Sequence, residues 1–229
     1  MKQILVDGIP IELEKKRIKN MYLRILPPEG RVHITAPMKM REEEIYSFVS
    51  SKLEWIQYHQ AKMEHRPVQP ELQYITGEQL YIWGRPYTLT LQEARARTQI
   101  KIIGDEIILF VKPNSTREQR EKLMNGWYRK ALEAEIPFLL GRWESIIGVT
   151  STGFNIRDMK TRWGTCNIRT KEIRFNLQLA RKPIKCLEYV VVHELVHLLE
   201  RSHNKVFKAY MDRFLPDWRN IKRELNEIK

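Results

Sequence analysis

Two hydrophobic periods alternate along the chain. The first third holds short apolar-rich runs at Ile4 to Val6, Ile9 to Glu14, Met21 to Leu26 and Arg31 to Ala36. Asp7-Gly8, Pro27-Pro28 with Gly30, and Pro37 separate them, as turn chemistry requires. Val32, Ile34 and Ala36 alternate with Arg31, His33 and Thr35, the period of a half-buried strand. Ile45, Phe48, Val49, Leu53 and Ile56 then recur at three- and four-residue steps and predict one helix over 41–63. Pro67 and Pro70 mark a loop. Strand patterns return at Gln79 to Trp83, Tyr87 to Leu91, Ile100 to Ile103 and Ile107 to Val111, with turns at Gly84-Arg85-Pro86 and Gly104-Asp105.

At Asn114 the period lengthens. Ser115-Thr116-Arg117-Glu118 has capping-box spacing, and Leu123, Trp127, Ala131 and Leu132 follow on one helical face. Pro137 is expected to kink or break this helix before it ends near Gly148. Strands are expected at Phe154 to Ile156 and Ile173 to Leu179, an apolar helix from Pro183 to about Glu200, and a last helix over 204–227. No internal repeat and no flexible linker is apparent. The fold class is α+β, with a β-rich N-terminal subdomain carrying one helix (1–112) and a C-terminal α+β domain (113–229).

Composition narrows the class. A hydrophobic fraction of 42 % over 229 residues suits an ordinary globular protein and argues against a disordered or low-complexity chain. Cys166 and Cys186 make no disulfide framework. No apolar run approaches the roughly 20 residues needed to span a bilayer, and the N-terminal stretch is too polar for a signal peptide. The expectation is a cytoplasmic protein without a membrane partner. The net charge of +12 is unevenly spread: residues 151–185 hold nine basic residues against Asp158 and Glu172. Such a block reads either as a solvated face or as a footprint for nucleic acid or an acidic partner.

The chemistry is concentrated at 193–203, which contains His193-Glu194-Leu195-Val196-His197 and a third histidine, His203. Residues four apart on a helix share a face, with their side chains about 6 Å apart, so His193 and His197 can share one metal. Glu194 lies beside them, where it can take a proton from water. Ile184, Leu187, Val191, Leu195 and Leu198 fall within about 80° of one another on a helical wheel, roughly opposite the two histidines. On a straight helix His203 would sit about 9 Å beyond His197 along the axis, out of reach of a bond of about 2.1 Å. The chain is therefore expected to leave the helix between 199 and 203, where Ser202 and Asn204 suit a turn and an N-cap.

Arg162-Trp163-Gly164-Thr165-Cys166-Asn167, Arg174-Phe175-Asn176 with Leu179, Tyr189 through Leu198, His203, Phe207 and Leu215-Pro216-Asp217-Trp218 resemble the YgjP-like family of zinc metallopeptidases, relatives of the SprT-like proteases with a zincin fold. Arg24 to Pro37 resembles the family's N-terminal strands. Thr165 stands where the family usually has Ser, and Lys208 where it usually has an aromatic residue. The resemblance implies a zincin-like C-terminal domain, one Zn2+ per chain held by His193, His197 and His203, and Glu194 as catalytic acid/base.

On this reading the protein hydrolyses peptide bonds in a protein or peptide substrate. The developing oxyanion needs a further stabiliser, for which Arg162 and Tyr210 are candidates. Glu200, Asp212 and Glu188 are candidates to accept the second N–H of a ligand histidine. The Arg162–Asn167 segment has two readings: packing beneath the metal helix, with Gly164 allowing close approach, or a strand that pairs with an extended substrate. Nothing in the local sequence activates Cys166 as a nucleophile. Two alternatives stand beside the peptidase: a metal-dependent hydrolase of a non-peptide substrate, and a nucleic-acid-associated protein with a secondary metal site. The SprT-like relatives cleave proteins attached to DNA, which a basic approach to the cleft would suit.

Overall fold

The computed structural model describes residues 2–26, 29–64, 71–94 and 97–227. They form two compact units, 1–71 and 72–229. The α+β class expected from the sequence is observed.

The first unit is a four-stranded sheet with two helices. Strands β1 (Lys2–Val6), β2 (Ile9–Lys16), β3 (Tyr22–Leu26) and β4 (Arg31–Pro37) are ordered β1-β2-β4-β3. Helices α1 (Glu42–Ser50) and α2 (Leu53–Glu64) follow. The period-2 pattern works as predicted: Ile11, Leu13, Val32, Ile34 and Ala36 are buried and form one core with Ile45, Val49 and Ile56. The single helix expected over 41–63 is two helices, because the chain turns at Ser51-Lys52. The Lys52 N–H donates to the Val49 carbonyl in the tighter i→i−3 pattern that closes α1.

The second unit opens with another four-stranded sheet. Strands β5 (Gln79–Ile82), β6 (Arg85–Glu93), β7 (Gln99–Ile103) and β8 (Glu106–Val111) are ordered β5-β6-β8-β7. These strands do not belong to an N-terminal subdomain ending at 112. Leu80, Ile82, Leu89, Ile107 and Leu109 share one core with Tyr128, Leu132 and Ile136 of the helix that follows and with Leu187 and Val191 of the metal-site helix. The division therefore falls at 71/72.

The two sheets have the same topology, which overturns the expectation of no internal repeat. In each, strands one and two form an antiparallel hairpin, strands two and four pair in parallel, and strands three and four pair antiparallel. Both hairpins turn on two left-handed residues, Asp7-Gly8 (φ 46° and 80°) and Trp83-Gly84 (φ 49° and 80°). Val6-Asp7-Gly8-Ile9-Pro10 aligns with Ile82-Trp83-Gly84-Arg85-Pro86, and Pro37 with Pro113, each four residues before an Arg-Glu pair at a helix start. The sequences diverge too far elsewhere for periodicity alone to reveal the duplication.

Helix α3 (Arg117–Ile147) is capped by Thr116, whose hydroxyl accepts from the Gln119 N–H, and it ends at left-handed Gly148. It continues through Pro137 without breaking, because Tyr128, Leu132 and Ile136 on one side and Leu139, Leu140 and Trp143 on the other are buried in the core. Strands β9 (Gly153–Arg157), β10 (Gly164–Asn167) and β11 (Glu172–Asn176) form a second sheet ordered β10-β11-β9, with β10 at an edge. A 3-10 turn over Leu177–Arg181 leads into α4 (Ile184–Val196). Pro216 splits the expected last helix into α5 (Lys205–Phe214) and α6 (Trp218–Glu227). Among the described residues, no helix is long and apolar enough to cross a membrane.

Candidate metal centre

Helix α4 is apolar almost all round: Leu187, Val190, Val191, Val192, Leu195 and Val196 are all buried. Its C-terminal end carries His193, Glu194 and, at the C-cap, His197. The helix stops at Val196, earlier than the sequence suggested. Its last turn tightens, with the Leu198 and Leu199 N–H groups donating to the Leu195 and Val196 carbonyls. Asn204 then caps α5, its side chain accepting from the Phe207 N–H at 3.0 Å. The predicted departure from the helix before His203 is thus present.

The break returns His203 to the other two histidines. One ring nitrogen from each of His193, His197 and His203 lies within 4.8 Å of the others. Their ring centroids stand 4.7 to 4.9 Å apart, and the buried Phe207 ring packs against all three. His193 Nε2 and His203 Nε2 face each other at 3.0 Å. His193 Nδ1 is buried with no hydrogen-bond partner among the described residues. His197 Nδ1 faces the Glu200 carbonyl oxygen at 3.2 Å, an acceptor, so this nitrogen carries the proton and Nε2 keeps its lone pair. Burial, then the neighbouring histidines, pushes His193 down to about 3, and burial lowers His197 and His203 as well. Three neutral imidazoles with converging ring nitrogens fit a divalent transition metal.

The partner of His197 Nδ1 is a backbone carbonyl, not one of the carboxylates expected for that role. Glu188 accepts from Arg142 and from the Trp143 indole N–H, and Asp212 accepts from Trp218 and Arg219.

Glu194 is 4 % exposed and lies against β10. Burial raises its carboxyl to about 8, against the opposing pull of the Arg162 guanidinium and a hydrogen bond from the Cys166 backbone. Gly164 creates its space. A Cβ there would lie 2.6 Å from Glu194 Oε1 and 2.7 Å from Val190 Cγ1, so any other residue would drive the strand off the helix. The close approach expected at Gly164 is therefore present. Trp163 does not lie free in the cleft: its indole N–H donates to Asn226 Oδ1 of α6, and the Lys182 ammonium sits over its ring.

Asn176 holds the approach to β10. Buried to 3 % exposure, its side-chain amide donates to the Met159 and Arg162 carbonyls at 2.7 Å each, and its Oδ1 accepts from the Gln178 N–H. An asparagine at a strand end carries no signal of this role in a single sequence. Cys166 is raised to about 11 by burial and by Glu194, which keeps it a thiol at neutral pH.

The three histidines, Glu194, Gly164 and Cys166 line a cleft of about 1000 Å3. Arg162 lines it. Tyr210 does not: it stacks on Phe214, with ring centroids 6.1 Å apart. The basic block at 151–185 also divides. Arg162 and Arg169 reach the cleft, whereas Arg181 donates to the Tyr74 hydroxyl over the Tyr128 ring, Arg174 donates to Asn155, and Lys182 is buried.

No curated protein matches the chain. Among solved structures, two metallopeptidase zymogens are similar in part. One is the zymogen of the metallopeptidase abylysin from Pyrococcus abyssi, at 19 % identity over 41 % of this chain and 94 % of that one, with a TM-score of 0.37. The other is the zymogen of the metallopeptidase jannalysin from Methanocaldococcus jannaschii, at 19 % identity over 40 % and 94 %, with a TM-score of 0.36. The family model described as YgjP-like, metallopeptidase domain, matches residues 19–228, and the chain belongs to that family.

Proposed function

We propose that this protein is a zinc-dependent peptidase in which His193, His197 and His203 hold one Zn2+ and Glu194 is the catalytic acid/base. The observation that carries this reading is the convergence of three neutral imidazoles beside a buried carboxyl. Zinc bound there supplies Lewis-acid chemistry, acidifying water and polarising a carbonyl. The zincin-like assignment of the metal-bearing part belongs to the same reading.

The chain's own residues provide the rest. Glu194, whose carboxyl changes protonation state near neutral pH, takes a proton from the attacking water and delivers it to the leaving amine. The Cys166 backbone hydrogen bond and the Arg162 charge favour its ionised form, while the close fit of Gly164 fixes its position. Arg162 is the cleft-lining candidate for stabilising developing negative charge. Phe207 excludes water from beneath the histidines. Strand β10, at the sheet edge and along the cleft, offers its backbone to an extended substrate.

Replacing Glu194 by Gln tests the assignment. The variant is expected to bind one zinc per chain and to lose peptide hydrolysis by about 10^2-fold or more. Retention of wild-type hydrolysis would refute the role of Glu194.

A further inference from the structure

The cleft around the three histidines is lined by five cations: Arg162, Arg169, Arg201, Lys208 and Lys222. Among the described residues the only carboxylate lining it is Glu194, which is buried. The five come from separate places in the fold. Arg162 and Arg169 flank β10, Arg201 lies in the loop after α4, Lys208 is on α5 and Lys222 on α6. Among the described residues none of them makes an ion pair, although ion pairs occur elsewhere in the same unit, as at Lys185–Glu224 and Arg219–Asp212.

A metal centre does not account for this arrangement. Cations around a site for a dication repel it, and they also repel one another, so the cleft carries an electrostatic cost in its free state. Packing does not account for it either, since all five side chains are exposed and only Lys222 rests on an aromatic ring, at 5.9 Å from the Trp218 centroid. A ligand that brings negative charge removes both costs.

We propose that the cleft selects acidic peptides, and that Arg162, beside β10, and Lys222, on α6, are specificity-determining residues. This rests on the reading that the cleft takes peptides. Complementary charge raises the rate of encounter and penalises basic substrates.

The test reads binding rather than turnover. Zinc-loaded Glu194→Gln protein is titrated with peptides of equal length whose residues flanking a central bond are Glu and Asp, Gln and Asn, or Lys and Arg. Binding is followed by calorimetry at two salt concentrations. The acidic peptide is expected to bind at least tenfold more tightly than the neutral one at low salt, with the difference shrinking several-fold in high salt as the charges are screened. Adding Arg162→Gln and Lys222→Gln is expected to reduce the preference to less than threefold while zinc content is retained. Equal binding of acidic and neutral peptides overturns the proposal, as does binding of neither, or a preference that survives the double substitution. A single-stranded oligonucleotide that binds more tightly than the acidic peptide and depends on the same two residues also overturns it, in favour of nucleic acid. Because binding is measured without hydrolysis, failure to cleave any peptide counts against the proposed function, whereas indifference to charge counts against the selectivity alone.

Discussion

The two four-stranded sheets share a topology, a hairpin turn and the spacing from a proline to the Arg-Glu pair at the next helix, yet their turns have different duties. The first turns on Asp7-Gly8, a sequence suited to two left-handed residues, and is tied to its own unit's helix: Ser50 Oγ donates to Asp7 Oδ2 at 2.6 Å. A Cβ on Gly8 would meet nothing within 4 Å. The second turns on Trp83-Gly84. A bulky left-handed residue costs about 1–2 kcal/mol, which docking offsets. The Trp83 and Gly84 N–H groups donate to the Ala180 and Arg181 carbonyls, and a Cβ on Gly84 would lie 2.7 Å from Pro183 Cγ. Pro183 is the N-cap of α4. The same supersecondary unit thus meets its own helix in one place and braces the start of α4, which carries His193 and Glu194, in the other. The choice is made by a few residues at the turn, not by the sheet.

Substitutions at the paired turns measure that difference. Gly84→Ala combines backbone strain with a collision against a rigid ring, and is expected to cost about 3 kcal/mol or more. That corresponds to a fall in Tm of about 10 °C in calorimetry. Peptidase activity should fall with it, because the displaced segment leads directly into α4. Gly8→Ala carries the strain alone and is expected to cost about 1 kcal/mol with activity unchanged. If the two substitutions cost the same, the brace is not real. Ser50→Ala removes one exposed hydrogen bond and should cost about 0.5 kcal/mol or less, detectable as a small shift in denaturant midpoint. A loss matching that of Gly84→Ala would show that the first turn is also a structural anchor.

The histidines and Glu194 are legible in the sequence because four-residue spacing on a helix is local geometry, and so is the turn chemistry of Ser202 and Asn204 that returns His203. Local rules also locate most strands. They fail where long-range packing decides. Pro137 interrupts one backbone bond, but the core on both sides of it holds α3 together. The boundary near 112 cuts through a core shared by β5–β8, α3 and α4, which only the folded chain brings together. Trp83 hides the second hairpin turn, since tryptophan is not a turn former, so the turn reads one residue late. The basic character of the cleft is likewise scattered from Arg162 to Lys222. A window over 151–185 includes Arg181 and Lys182, which face inward, and omits Arg201, Lys208 and Lys222, which line the site.

The central claim is that the helix break carries His203 back as the third ligand of a single zinc. Metal analysis of the purified wild-type protein and its His203→Ala variant, both exposed to equal zinc and then dialysed, tests it most directly. One zinc per chain is expected in the wild type and little retained by the variant. Full zinc occupancy in His203→Ala would contradict it.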